Sequence, residues 1–181
     1  MEVGRLETHY LQYLVDGYDK DAALEQLMNE YGSDLWRFAY FLTKNAHSAD
    51  DIVQEAFMAV YERMYSFRGE STIRSWLLAI TRNKCYSHLK SAFIRKVTLM
   101  DRIDTENKAP SAETELLFRE QSRQLWEAVL CLPLKFREIV IFEYHYGFTI
   151  KEIAALLQLS EGTVKSRSHR AKSKLSRLLA E

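Results

Sequence analysis

Two amphipathic segments joined by a short turn, at residues 149–179, constrain the fold of this chain more than any other feature. Thr149 is followed three residues later by Glu152, the spacing of a capping box, which predicts a helix that begins there and runs to about Leu157. The next three residues form the expected turn, and the Ser160 hydroxyl can cap the amides of a second helix. This pattern is typical of a helix-turn-helix.

The second helix of this pair has a narrow apolar side and a broad basic side. Its apolar side carries Val164, Ala171, Leu175 and Leu178, with Ser168 between them, and its opposite side carries Lys165, Ser166, His169, Arg170 and Ser173. From Ser160 to Glu181, six Lys and Arg residues stand against two acids, a net charge of +4. Such a helix is either a terminal helix that is simply solvated or a helix that binds DNA. The capped helix before it, and the turn between the two, have the spacing of a helix-turn-helix, which favours DNA binding.

Composition indicates an all-α protein that works inside the cell. The 181 residues are 47% hydrophobic with a formal charge of zero, and they include only six Gly and two Pro. No apolar run is long enough to span a membrane and the N-terminus lacks a signal pattern, so we expect a cytoplasmic protein without membrane insertion. Cys85 and Cys131 are far apart and fit reduced, buried thiols better than a disulfide or a metal site.

The N-terminal half predicts two amphipathic helices, the second of them acidic. The first covers about residues 20–42, with an interruption or bend near Gly32 and Ser33. The second covers residues 49–64, with Ser48 as its expected cap. Four acids and no Lys or Arg lie between Asn45 and Glu62. This acidic side, with Met58 exposed on it, is suited to binding another protein. The equally supported alternative is that this side is solvated and binds no partner.

A glycine-containing loop and a basic aromatic helix follow. The loop covers residues 66–72 with Gly69 as its pivot, and the helix begins at about Ile73. Residues 82–102 hold six cations against one acid, a net charge of +5. Aromatic rings beside cations can hold an opened DNA strand. Core packing of Trp76 and plain surface hydrogen bonding by Asn83 are the alternatives.

Periodicity is lost at residues 93–112, which we interpret as a flexible linker between two small helical domains at residues 1–92 and 113–181. The second domain is predicted to begin with a helix from Ala112 to Leu130 and to continue with a helix from Lys135 to Tyr144 before the helix-turn-helix.

Two ordered blocks carry a resemblance to a known family. Residues 49–84 read ADDIVQEAFMAVYERMYSFRGESTIRSWLLAITRNK, and residues 132–172 begin with LP and contain FREIVIFEYHYGFTIKEIAALLQLSEGTVKSRSHRAK. In this order and spacing they resemble a bacterial sigma factor of the extracytoplasmic-function (ECF) group of the sigma-70 family. The resemblance implies a two-domain all-helical protein that binds core RNA polymerase, directs it to promoters and nucleates promoter melting.

The resemblance also implies three interfaces, carried over by matching positions. Docking on core polymerase, at the β′ clamp helices, would use Asp50, Asp51, Gln54, Glu55 and Met58. Recognition and opening of the minus-ten element would use Phe67, Arg68, Gly69, Glu70, Ser71, Thr72, Trp76, Arg82, Asn83 and Lys84. Recognition of the minus-thirty-five element would use Thr163, Lys165, Ser166, Arg167, His169 and Arg170.

The family further implies contact with the polymerase β flap and control by an anti-sigma factor, which is often membrane-bound. Three positions depart from the family pattern. Glu143 stands where a basic residue is common, and an acid there is expected to repel a phosphate. Lys165 replaces an Arg, which removes bidentate guanine reading, and His169 replaces an apolar or aromatic residue.

Three other functions compete with this interpretation. A helix-turn-helix regulator that does not replace sigma would leave the block at 49–84 unexplained. A protein that only sequesters polymerase is the second rival. An enzyme is the third, but the five His residues are scattered and the sequence shows no nucleophile–base pair, phosphate loop or metal-ligand cluster, so we expect no catalytic residue, metal or cofactor.

Overall fold

The computed structural model of this chain describes residues 19–98 and 123–180, and all regular structure within these residues is helical. This confirms the all-α prediction. The helices of the first part are α1 (Lys20–Thr43), α2 (Ala46–Arg63), a 3-10 turn (Met64–Ser66) and α3 (Ile73–Thr98). Those of the second part are α4 (Arg123–Cys131), α5 (Leu134–Val140), a π-helical turn (Ile141–His145), α6 (Ile150–Leu157) and α7 (Glu161–Leu178).

The chain forms two compact units, Met1–Asp104 and Thr105–Glu181. Helix α3 runs to Thr98, so the stretch predicted as linker is helical for its first six residues. The rest of the predicted linker, and the first part of the helix predicted from Ala112, lie outside the described residues.

In the first unit α1, α2 and α3 pack around one apolar core. Helix α1 is continuous, so an interruption near Gly32 is wrong, and the alternative of a bend there stays a prediction. Tyr31 and Leu35 on either side are buried, and their packing outweighs the cost of about 1 kcal/mol for a helical glycine. The cap of α2 is Asn45 and not Ser48, because the Asn45 side chain accepts from the Ser48 amide at 2.8 Å.

The second unit places the helix-turn-helix against the preceding segment, with α7 packed on both α5 and α6. The capping box at Thr149 and Glu152 is present as predicted, and Ser160 caps α7 by accepting from the Thr163 amide at 3.2 Å. Gln158 ends α6 in the left-handed conformation, with φ of 54°. These local bonds fix the angle at which α7 begins.

The two thiols differ in their surroundings. Cys85 is buried in the first unit, and burial raises its pKa to about 12, which leaves it an unreactive thiol. Cys131 is exposed at the end of α4, so the expectation that both thiols are buried is wrong for this residue. Cys131 occupies the last position of α4, and the neighbouring Leu132 is the residue whose side chain is buried there.

Candidate polymerase and nucleic-acid interfaces

The acidic side of α2 is exposed because its apolar residues are turned towards α1 and α3. Helix α2 buries Ala49, Ile52, Ala56, Phe57, Ala59 and Val60. On its outer side Asp51, Gln54, Glu55 and Met58 are exposed, and Met58 retains 66% of its accessible surface. Together with α3 these residues line an open groove of about 700 Å³. The sequence prediction therefore placed four of its five docking residues on one surface.

The residues on the α3 side of this groove were not predicted from the sequence. They are Ser87, His88 and Ser91. Their helix was interpreted as a DNA-facing element, and only the packing of α3 beside α2 brings them next to the acidic residues. The signal that could have found them is their three-to-four-residue spacing on α3, which places them on one side of that helix.

Asp50, the fifth predicted docking residue, makes a different contact. The Trp36 indole Nε1 donates to Asp50 Oδ1 at 2.7 Å, which ties α2 to α1. The Trp36 ring also stacks on Tyr40, with centroids 5.5 Å apart. Asp50 is exposed but does not line the groove. One of its carboxylate oxygens instead holds α2, the helix that carries Asp51 and Glu55, against α1.

The loop between α2 and α3 is attached to α3 by an aromatic contact. The Phe67 and Trp76 rings lie 5.1 Å apart at an angle of 55°. Gly69 has φ of 69°, a conformation that a side chain would strain, so this turn requires glycine. Thr72 caps α3, its hydroxyl accepting from the Ser75 amide at 3.1 Å. The loop thereby has a defined shape, with Arg68, Glu70 and Ser71 exposed.

The three predicted DNA residues that follow Trp76 on α3 have different environments. Asn83 is exposed and lies seven residues after Trp76, on the same side of the helix. The Arg82 guanidinium lies 4.3 Å from the centre of the Tyr86 ring. Lys84 Nζ lies 3.3 Å from Glu55 Oε2, so it is paired with the acidic surface.

Helix α7 presents most, but not all, of its predicted DNA residues to solvent. Lys165, Ser166, His169 and Arg170 are exposed. Thr163 is half-buried, and its hydroxyl is hydrogen-bonded to that of Ser160 at 2.9 Å. Four adjacent exposed polar side chains on one helix of a helix-turn-helix are a suitable surface for a major groove.

Arg167 differs from the others because it faces the interior of its unit. Its side chain is 28% exposed and its Nη1 lies 4.0 Å from Oε1 of Glu138, a carboxylate buried on α5. This places Arg167 in an internal ion pair and away from the exposed face that Lys165 and Arg170 share.

Glu143, which was expected to repel a phosphate, also contacts α7. Its carboxylate accepts from Ser168 Oγ at 2.6 Å and from Lys172 Nζ at 2.8 Å. This pairing raises the pKa of Lys172. The contact was not predicted from the sequence because Glu143 lies on a different element from Ser168 and Lys172, and the π-helical turn that carries Glu143 changes the direction of the side chains that follow α5.

Among the described residues, no three His, Cys, Asp or Glu side chains are grouped as metal ligands would be. None of the described helices combines the length and apolar character that crossing a bilayer requires. Of the two units, the first has an acidic helical groove and a loop beside a basic helix. The second has a solvent-exposed basic helix, α7.

Comparison with known proteins agrees with this division. The family described as Sigma-70 region 2 matches residues 27–93, and the family described as Sigma-70, region 4 matches residues 122–175. The fold and its two regions thus define a sigma-70-type transcription initiation protein.

The relatives specify the group. The ECF RNA polymerase sigma factor SigM of Mycobacterium tuberculosis is 30% identical over 158 residues, which cover 87% of this chain and 77% of SigM. SigW of Bacillus subtilis, another ECF sigma factor, is 26% identical over 90% of this chain and 91% of SigW. The chain belongs to the ECF RNA polymerase sigma factors.

Two solved structures share the fold. The sigma factor RpoE of Bartonella quintana, crystallised with the anti-sigma factor NepR, has a TM-score of 0.69 and 27% identity over 86% of this chain and 96% of RpoE. CnrH, solved with the cytosolic domain of CnrY, has a TM-score of 0.67 and 25% identity over 96% of this chain and 97% of CnrH.

Proposed function

We propose that this sigma factor docks on core RNA polymerase through the α2 groove, opens the minus-ten element with the loop and α3, and reads the minus-thirty-five element with α7. The two matched regions support domains at about residues 1–92 and 113–181, although α3 reaches Thr98. The single observation that carries the proposal is the separation of charge. Asp51 and Glu55 line a groove in one unit, whereas Lys165 and Arg170 are exposed in the other.

Docking is an electrostatic and apolar contact in this proposal. Asp51, Gln54, Glu55 and the exposed Met58 meet a basic helical surface of the polymerase, the β′ clamp helices. Asp50 supports that surface through Trp36 without contacting the polymerase itself. Charges at the rim of such an interface mainly determine partner choice and the association rate, and the apolar centre adds affinity.

Promoter opening costs stacking and pairing energy, so an initiation factor must bind the opened strand better than the duplex. The loop from Phe67 to Thr72 and the Asn83 amide form the proposed pocket for one base flipped from the non-template strand. Trp76 braces the loop through its contact with Phe67. Exposed Arg68 is suited to a neighbouring phosphate, and capture of the unstacked base then favours the melted state.

Upstream recognition uses the exposed side of α7. The proposed contacts are Lys165, Ser166, His169 and Arg170. Thr163 and Arg167 instead support the helix, through the Ser160 hydroxyl and the Glu138 carboxylate respectively. Because both units bind the same polymerase, one contact raises the effective concentration of the other, and two weak elements together specify one promoter. The polymerase performs the nucleotide chemistry, so the sigma factor needs no catalytic residue of its own.

Control by an anti-sigma factor and a cytoplasmic location are further parts of the proposal. RpoE and CnrH were both solved in complexes, with the anti-sigma factor NepR and with the cytosolic domain of CnrY. A protein that covers the α2 groove would prevent polymerase binding. Contact of the second unit with the β flap completes the proposed holoenzyme.

The test is run-off transcription from genomic fragments with core polymerase, in the presence and absence of this protein. We expect new start sites that share two upstream elements at a fixed spacing. Duplex binding without any new start site would instead support the alternative, a helix-turn-helix regulator that does not replace sigma.

A further inference from the structure

The reading helix α7 is held from behind by two carboxylates of the preceding segment. Glu138 on α5 lies 4.0 Å from Arg167, and Glu143 on the π-helical turn binds Ser168 and Lys172. Ser168 is only 4% exposed, so its bond to Glu143 belongs to the packed side of α7. A hydrogen bond from a hydroxyl to a carboxylate is charge-assisted, and therefore shorter and stronger than a neutral one, so it favours one orientation of the helix.

Lys172 is the member of this group that could also reach DNA. It lies seven residues after Lys165, which places the two ammonium-bearing side chains on the same side of α7. Its side chain is 48% exposed, and its Nζ lies 5.2 Å from the centre of the exposed Tyr144 ring as well as 2.8 Å from Glu143. Glu143 and Tyr144 together draw this cation towards the body of the domain.

We propose that Glu143 is a specificity-determining and positioning residue of the reading helix. It anchors α7 through Ser168 and competes with DNA phosphates for Lys172. This assignment rests on the proposed role of α7 in upstream recognition.

The physical reason is the balance between sequence-independent and sequence-dependent attraction. Each cation that neutralises a phosphate adds affinity for every sequence, together with a salt dependence of about 0.9 in the slope of log K against log salt. Three of the six cations on α7 are paired with carboxylates, Lys165 with Glu161 at 3.8 Å, Arg167 with Glu138 at 4.0 Å and Lys172 with Glu143 at 2.8 Å. The Lys172 pair is the shortest of these, and it reduces unspecific attraction while holding the base-reading side chains in one orientation.

The first test needs no DNA. In the full-length protein, Glu143→Gln keeps an acceptor for Ser168 but removes the charge opposite Lys172. The pKa of Lys172, followed by NMR of its Nζ, is expected to fall towards the ordinary lysine value of about 10.4. Glu25→Gln, which changes the net charge equally on exposed α1, is the control and should leave it unaltered. An unchanged Lys172 pKa in Glu143→Gln would overturn the pairing.

The second test uses holoenzyme and a promoter fragment recovered by run-off transcription, with the upstream element either intact or scrambled, over a series of salt concentrations. Glu143→Gln is expected to steepen the salt slope by about 0.9 on both fragments and to raise the affinity for both by the same factor, so that the ratio of intact to scrambled affinity stays unchanged. Glu143→Gln with Lys172→Gln should restore the slope. Glu143→Ala, which also loses the Ser168 bond, should in addition lower that ratio, because the anchor of the base-reading side chains is gone.

Two other outcomes are distinguishable. Equal weakening on both fragments with an unchanged slope would make Glu143 a residue of fold stability only, contrary to the proposal. If Arg170→Ala leaves the ratio of intact to scrambled affinity unchanged, α7 does not read the upstream element, and the proposed function itself fails whatever Glu143 does.

Discussion

Lys84 on α3 is the ion-pair partner of Glu55 on α2, with Nζ and Oε2 3.3 Å apart. One residue was assigned to promoter DNA and the other to the polymerase, so the two interfaces of the first unit meet at this contact. Both side chains are partly exposed, at 34% and 58%. Pairs of this kind contribute about 0–1 kcal/mol, so a polymerase cation at Glu55 or a phosphate at Lys84 can replace the partner at little cost.

Charge reversal in the α2 groove should abolish polymerase binding. Asp51→Lys with Glu55→Lys places two cations where the proposal requires two anions, and like charges across an interface cost several kcal/mol. We expect the affinity for core polymerase, measured by fluorescence titration, to fall by about a hundredfold or more. Binding to duplex DNA should persist.

The matched control is Glu25→Lys with Glu30→Lys, which changes the net charge equally at exposed positions on α1, outside the groove. It should bind polymerase as the unmodified protein does. Retained affinity in the Asp51 and Glu55 variant would remove this groove from the docking surface.

Asn83→Ala should shorten the lifetime of the open promoter complex without lowering thermal stability, because Asn83 is exposed on α3. The reason is the loss of hydrogen bonds to a flipped base, which are made only in the opened state. The lifetime can be followed by competitor challenge of holoenzyme on a promoter fragment. On a fragment with an abasic site in place of the captured base, variant and unmodified protein should behave alike, and a persisting difference would place the Asn83 contact elsewhere.

Arg170→Ala should weaken promoter binding by about 1–3 kcal/mol if this residue reads a base edge, and the loss should depend on the minus-thirty-five sequence. Holoenzyme affinity for fragments with single-base changes in that element measures this dependence. Arg177→Ala, an exposed arginine near the end of the same helix, is the control for loss of charge. An equal loss on every sequence would identify Arg170 as a phosphate contact.

The capping box of α6 makes stability depend on pH. Hydrogen bonds from the Thr149 hydroxyl and amide lower the pKa of Glu152. A lowered folded-state pKa means that the stabilisation is complete above the unfolded value of about 4.3 and is lost as the pH falls through the folded-state pKa. Thermal unfolding should therefore show a larger acid-induced loss of stability for the unmodified protein than for Glu152→Gln.

Thr149→Ala removes the other half of the same capping box and should cost about 0.5–2 kcal/mol at neutral pH. Ser71→Ala, at an exposed loop position of the other unit, is a control that should leave the unfolding of the second unit unchanged. Identical acid sensitivity of Glu152→Gln and the unmodified protein would contradict the assigned bonds.

Features encoded over a few residues were predictable from the sequence. The capping box at Thr149, the Ser160 cap and the exposed acidic side of α2 depend on spacings of three to seven residues, and the structure confirms them. Helical periodicity likewise gave the all-α class. The one predicted cap that is wrong, Ser48, shows the limit of such signals. Asn45 and Ser48 both have suitable side chains, and only the residue at which the helix begins selects between them.

Which charges remain available to a partner was decided by the tertiary structure alone. The sequence counts six cations near the C-terminus, but Glu138 and Glu143 from the preceding segment pair with two of them, and Glu143 is 29 residues from Lys172. Lys84 is similarly paired with Glu55, whereas Asp50 accepts a hydrogen bond from the neutral Trp36 indole and keeps its charge. Local sequence determines which helices form and which side chains they carry, whereas the packing of those helices determines which charges neutralise one another, because Coulomb attraction depends on distance in space and not along the chain.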